Sequence, residues 1–146
     1  MRRRRDLTNG ARAIFVTPLY AGLLTLWFVL LSVRVVGLRQ RGIIFGDNGD
    51  VGVIRIVRAQ ANFAEYVPLA LLMMGFLEVG RHSIYLLHAL GVALVVARLM
   101  HGLALSFGWH TRFGRVAGAA ITFFVLLIEA ALCLYQGVRG QVVWMQ

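Results

Sequence analysis

Four apolar stretches, over about residues 14–36, 58–79, 83–107 and 116–138, dominate this chain of 146 residues. A helix crosses the bilayer with about 20 predominantly apolar residues, and each stretch reaches that length. The fold they predict is an all-α integral membrane protein, a bundle of four transmembrane helices. Hydrophobic residues make up 60% of the chain, against about 45–50% in soluble domains. The one soluble-type stretch, residues 38–55, is too short for a second domain, so a single membrane domain spanning 1–146 is expected. The arginine run at the start precedes an apolar run too long for a signal peptide, with no A-x-A-like site after it. It therefore reads as a retained span.

The connections are unequal. The first carries Gly42, Gly46, Gly49 and Gly52 around the turn sequence GDNGD. The second, around Gly80, is so short that spans two and three must form an antiparallel hairpin. The third, residues 108–115, is short and basic. The formal net charge is +9, and every basic residue is arginine. That charge does not point to nucleic acid, because no soluble module carries a basic groove and flanking basic charge is ordinary in membrane proteins. The arginine counts on the two membrane sides nearly balance. Cys133, the only cysteine, reads as a buried inert thiol, and with it go a disulfide framework and a thiolate zinc site. No histidine pair stands at i, i+4 beside an acid, so no metal is expected.

The second span is polar where it should be apolar. Residues 55–68 read RIVRAQANFAEYVP, and a charge near the bilayer centre costs about 2.5–3.5 kcal/mol on insertion scales. Arg58, Asn62 and Glu65, spaced four and three apart, share one helix face, with Arg55 one turn below Arg58. Gln60 points about 200° away from Arg58. One helix thus shows polar groups to two neighbours, which favours a homo-oligomer whose second helices meet. Two chemical readings fit. Arginine forks for carboxylates, an acid for an ammonium, and amides for peptide groups would suit a zwitterionic peptide. An internal Arg58–Glu65 ion pair that fixes helix packing would suit the same residues.

The pattern Arg55-x-x-Arg58-Ala59-Gln60-x-Asn62-x-x-Glu65-Tyr66-x-Pro68 closely resembles the signature of the MAPEG family, the membrane-associated proteins of eicosanoid and glutathione metabolism. The match is nearly complete over fourteen residues, and the four-span layout agrees. The resemblance implies a homotrimer with glutathione as cosubstrate, held between neighbouring subunits near one membrane face. Residue by residue, it implies glutathione contacts at Arg55, Arg58, Gln60, Asn62, Glu65 and Tyr66 of the second helix. Arg34 resembles the family arginine that reaches a glutathione carboxylate from the first helix. Arg98 fits a third-helix arginine. Arg112, with Arg115 as competitor, falls where some members place the arginine that stabilises the thiolate. Leukotriene-conjugating members carry tyrosines at the positions of His101 and Leu105. Histidine can still hydrogen-bond a ligand and leucine cannot.

The resemblance is strongest to the bacterial branch and implies a multi-pass protein of the bacterial inner membrane. The expected function is a glutathione-dependent transferase or peroxidase acting on lipophilic electrophiles that arrive from membrane lipid. The alternative is a non-catalytic subunit of a larger membrane complex, docked on other membrane subunits. Three further expectations concern lone polar residues. Glu129, mid-span, should pair with Arg98. Glu78 should reach water or Arg81 as a cap. His88 should make a helix–helix hydrogen bond. Trp27, Trp109 and Trp144 read as span or interface aromatics.

Overall fold

The computed structural model describes residues 14–43, 49–108 and 111–144. They form four helices: α1 (Val16–Gln40), α2 (Val51–Val79), α3 (Ile84–Ser106) and α4 (Thr111–Trp144). All four contain windows long and apolar enough to cross a membrane. Large apolar side chains such as Leu26, Leu127 and Phe124 remain about two-thirds exposed, as a lipid-facing surface requires. Gly46, Asp47, Trp109, His110 and the N-terminal arginines lie outside the described residues.

The helices outrun the apolar stretches. α2 begins seven residues before the expected start, because Asp50 caps it. Its carboxylate accepts from the backbone N–H of Gly52 at 2.6 Å and of Val53 at 3.4 Å, satisfying donors that a helix start leaves open. Arg55 is thereby on the helix and not in a loop. α4 is 34 residues long, about 51 Å at helical rise, so both of its ends pass beyond the hydrocarbon.

The start of α1 has no capping side chain of its own. The cap comes from Glu78, near the end of α2. Its carboxylate accepts from the backbone N–H groups of Phe15 (2.6 Å), Val16 (2.7 Å) and Thr17 (2.7 Å). An acid at a helix N-terminus is favoured by the helix dipole as well. The expectation of a cap holds, but the capped helix is α1, and Arg81 takes no part in these bonds. In the turn that follows, Arg81 adopts a left-handed backbone (φ 61°) while Gly80 keeps φ −72°. A Cβ at position 80 would displace the amide end of the Gln136 side chain of α4.

The core has two parts. Toward the ends of α1 and α3, Leu24, Leu31, Phe63, Val67, Leu94 and Leu105 pack together, with Phe28 stacked on Phe63 at 5.3 Å. Toward the α2–α3 turn, Tyr20, Met74, Leu77, Leu87, Leu90 and Val125 form the second part. The Tyr20 hydroxyl lies 2.9 Å from His88 Nδ1, the helix–helix hydrogen bond expected of His88. α3 and α4 approach closely through Gly114 and Gly118. A Cβ on Gly118 would stand 2.6 Å from the Ala97 carbonyl oxygen and 2.9 Å from His101 Cβ. Small residues at such spacing let membrane helices meet backbone to backbone.

Candidate functional site

Because α2 and α4 begin at the same end of the bundle where α3 finishes, the polar start of α2 meets the basic start of α4. Arg55, Arg112 and Arg115 line one cleft of about 230 Å³, walled by Ala104 and Leu105 of α3. No carboxylate among the described residues lines it. Three permanent cations converge on a space that holds only apolar side chains otherwise, which is an arrangement for an anion.

Further along α2, Arg58 and Glu65 are exposed and Gln60, Asn62 and Tyr66 half-buried. The Asn62 amide donates to the Arg58 carbonyl at 3.0 Å. Arg58 and Glu65 do not pair with each other among the described residues, so the internal ion pair that sequence alone allowed is not what holds this segment. Tyr66 turns toward α4, edge-on to Phe123 with ring centroids 5.4 Å apart. A single chain therefore leaves a charged, hydrogen-bonding face of α2 uncovered along a membrane-spanning helix.

Arg34 goes elsewhere. It donates to the Ser106 carbonyl at 2.8 Å, near the C-terminus of α3, and its guanidinium lies 4.2 Å above the Phe107 ring. Both contacts favour a cation at that position. It lines a separate cleft of about 190 Å³ with Arg41 and Ile56. No residue lines both clefts, and within one chain Arg34 does not join Arg55, Arg112 and Arg115.

Beneath the three-arginine cleft lies a sealed polar seam between α3 and α4. His101, 6% exposed, has Nδ1 at 3.1 Å from the Arg115 carbonyl oxygen. A carbonyl can only accept, so Nδ1 carries the proton and donates, and this bond ties α3 to the residue that lines the cleft above. Arg98, 3% exposed, donates to the Gly118 carbonyl at 3.2 Å and to the Thr122 hydroxyl. Its guanidinium lies 6.0 Å from the Tyr66 ring. The expected Arg98–Glu129 pair does not form. Glu129 is two turns further along α4, about 10 Å by helical rise, and both of its carboxyl oxygens are buried without a hydrogen-bond partner.

Three supporting residues escaped the sequence reading. Gly118 and Thr122 hold Arg98, and the Gly114-x-x-x-Gly118 spacing was the available signal. Trp27 donates from Nε1 to the Arg98 carbonyl at 3.2 Å, so it is an interhelical tie and not merely a span aromatic. Leu105 is buried in the upper core and forms an apolar wall of the cleft. No group of three histidine, cysteine or acidic side chains able to hold a metal stands among the described residues.

Known proteins are similar to this chain in sequence. The sequence model of the MAPEG family matches residues 17–135. The inner membrane protein YecN of Escherichia coli strain K12 is 34% identical over 116 residues, covering 77% of this chain and 86% of that protein. The protein of the same name from Escherichia coli O6:H1 matches to the same extent. No solved structure matches the chain.

Proposed function

This chain belongs to the MAPEG family and is a multi-pass protein of the bacterial inner membrane, and on that premise we propose that it binds glutathione at its arginine end and activates the thiol there. The observation that carries this reading is the cleft of Arg55, Arg112 and Arg115, which offers guanidinium donors and no carboxylate. It lies at the foot of the helix that presents Arg58, Gln60, Asn62, Glu65 and Tyr66.

The tripeptide has two carboxylates, an ammonium and two peptide groups. Arg55, Arg58 and Arg34 suit the carboxylates, Glu65 the ammonium, and Gln60 and Asn62 the peptide groups. A face that no part of its own chain covers suits contact with another subunit, and the family resemblance makes that assembly a homotrimer with each ligand between neighbours. In that assembly Arg34 of one subunit reaches the ligand held by α2 of the next, which accounts for its separate cleft within a chain. Arg98 and His101 act from below, Arg98 under Tyr66 and His101 on Arg115.

Positive charge beside the sulfur favours the thiolate. Arg112, with Arg115 as the alternative, supplies it. The thiol proton leaves to water, and the sulfur attacks an electrophilic carbon, expelling its leaving group with the bonding pair, or the terminal oxygen of a hydroperoxide. The second route breaks the O–O bond, releases an alcohol and leaves a glutathione sulfenic acid, which a second glutathione converts to the disulfide and water. An apolar groove of about 250 Å³ between α1 and α2, bordered by Phe28, Ala64 and Pro68, opens one turn from Glu65 and offers such a substrate a path along the bundle.

The test mixes glutathione with purified trimer and follows the ultraviolet thiolate band. The band is expected with the unaltered protein and lost in Arg112→Ala. A band unchanged in both Arg112→Ala and Arg115→Ala sinks the activation step. One observation favours a second reading, a non-catalytic subunit of a larger complex: Leu105 brings an apolar wall where the leukotriene-conjugating members of the family carry tyrosine. A protein that leaves the membrane only with other subunits, and whose melting temperature glutathione does not raise, supports that reading.

A further inference from the structure

The smaller basic cleft, of about 190 Å³, is built almost wholly by one helix. Arg34, Gly37, Leu38 and Arg41 of α1 line it, and Ile56 adds a wall from α2. Arg34, Gly37 and Arg41 stand three and four residues apart, so they share one helix face. The two arginines are two turns apart, about 10 Å by helical rise. Side chains on a helix tilt toward its N-terminus, which carries Arg41 back over Gly37 toward Arg34. Gly37 leaves the floor between them open, since a Cβ there would meet nothing within 4 Å. No carboxylate among the described residues lines this cleft.

Both cations are fixed at their bases. Arg34 spends one Nη2 hydrogen on the Ser106 carbonyl, and its Nε is sealed inside the protein. The other Nη hydrogens are what it offers to the cleft. Arg41 is exposed and sits where α1 stops. Its backbone N–H donates to the Leu38 carbonyl at 3.1 Å, that of Gly42 to Arg39 at 3.1 Å, and that of Ile43 to Leu38 at 3.3 Å. Gly42 takes the left-handed backbone (φ 90°) that this ending requires. Arg39 donates from Nη1 to the Ile43 carbonyl at 3.1 Å, so it braces the turn. A cation at a helix C-terminus suits the helix dipole, but the dipole calls for neither a second arginine two turns back nor an open floor between them.

We propose that Arg41 is a further binding residue of the glutathione site, and that with Arg34 it grips the glycyl carboxylate of the tripeptide. The inference rests on the glutathione reading. Two guanidinium groups match the several acceptor sites of one carboxylate. Charge selects the glycyl end. The γ-glutamyl carboxylate carries an ammonium on the adjacent carbon, which calls for an acid nearby, and this cleft offers none among the described residues. The glycyl carboxylate has no cation of its own. The γ-glutamyl end then falls to Glu65 and the arginines of α2 in the neighbouring subunit.

Calorimetric titration of the full-length protein with glutathione, and with the monoethyl ester in which the glycyl carboxylate is blocked, tests the clamp. Arg41→Ala is expected to weaken glutathione binding about tenfold and binding of the ester by less than about twofold. Gly37→Leu fills the floor and leaves both charges in place, and it is expected to weaken glutathione binding by roughly fivefold or more. The exposure of Arg41 and the open space at Gly37 should leave the melting temperature of each variant unchanged. Unaltered glutathione affinity in either variant, or an equal loss for tripeptide and ester in Arg41→Ala, overturns the clamp and leaves the glutathione reading standing. An unaltered protein that binds neither compound overturns both.

Discussion

At one end of the bundle, where α1 and α3 finish, arginines converge with no carboxylate among them. Arg55, Arg112 and Arg115 share one cleft and Arg34 and Arg41 another. Toward the other end, Glu78, Glu129 and Gln136 contact no arginine among the described residues. Glu78 is fully used by three backbone N–H groups of α1, while Gln136 Oε1 and both oxygens of Glu129 have no partner. Arg55, Arg112, Arg115, Glu78 and Glu129 thus take part in no ion pair among the described residues. A charge that is paired internally is of no use to a ligand. The end that holds its charge for internal bonds, as at Glu78, is structural, and an end that leaves its charge unmatched is built to be completed from outside.

The sharpest way to break this comparison is to remove the unmatched cations. Arg112→Ala combined with Arg115→Ala is expected to weaken glutathione binding about a hundredfold, since each charge-assisted hydrogen bond contributes roughly tenfold or more. The melting temperature without glutathione should stay where it was, because among the described residues no carboxylate pairs with these two guanidinium groups. Calorimetric titration and a thermal melt on the same preparation check both halves. A large loss of stability would mean that the arginines serve the fold.

Next in size is the tight approach of α3 and α4 that sets the arginine end. Gly118→Val is expected to destabilise the protein by about 2–3 kcal/mol through overpacking, because the added carbons meet the Ala97 carbonyl and His101. The variant should also lose glutathione affinity, since it displaces the His101–Arg115 contact. At the opposite end, Glu78→Ala is expected to cost about 2 kcal/mol by leaving the start of α1 uncapped, with glutathione affinity unchanged. Detergent unfolding curves of the two variants, each paired with a glutathione titration, separate an effect on the site from one on the fold.

The second-helix motif was legible in the sequence for a thermodynamic reason. Polar residues in a membrane span are costly enough that Arg58, Asn62 and Glu65 stand out against their apolar neighbours, and helical spacing puts them on one face. Four helices followed from apolar length alone. What stayed hidden depended on level and on backbone. Arg98 and Glu129 are the obvious charged pair by count, yet Arg98 sits level with Gly118 and Thr122, two turns short of Glu129. Its partners are the Thr122 hydroxyl and the Gly118 carbonyl, and no pattern of charged side chains announces either. The early start of α2 was missed because glycines around Asp50 read as loop, although Asp50 is a good capping residue. Glu78 was recognised as a cap, but the helix it caps begins more than sixty residues earlier in the chain, and only the fold brings them together.

The smallest expected effect concerns Arg98, and it separates the two kinds of charge most finely. A buried guanidinium is usually costly to lose, because a carboxylate is left behind. Arg98 has no carboxylate. Gly118 O also accepts from Thr122 at 2.8 Å, so removing Arg98 leaves neither of its partners unsatisfied. Its own Nε, meanwhile, is buried without a partner, and that cost disappears with the residue. Methionine approximates the length of the side chain and adapts to irregular space. Arg98→Met should therefore change stability by less than about 1 kcal/mol, in either direction. Glutathione affinity should still fall by about two- to fivefold, through the loosened support beneath Tyr66, an effect of less than about 1 kcal/mol. A collapse of stability would place Arg98 with Glu78, among the charges the fold consumes. An intact fold with weakened binding places it with Arg112 and Arg115, the charges kept for something outside the chain.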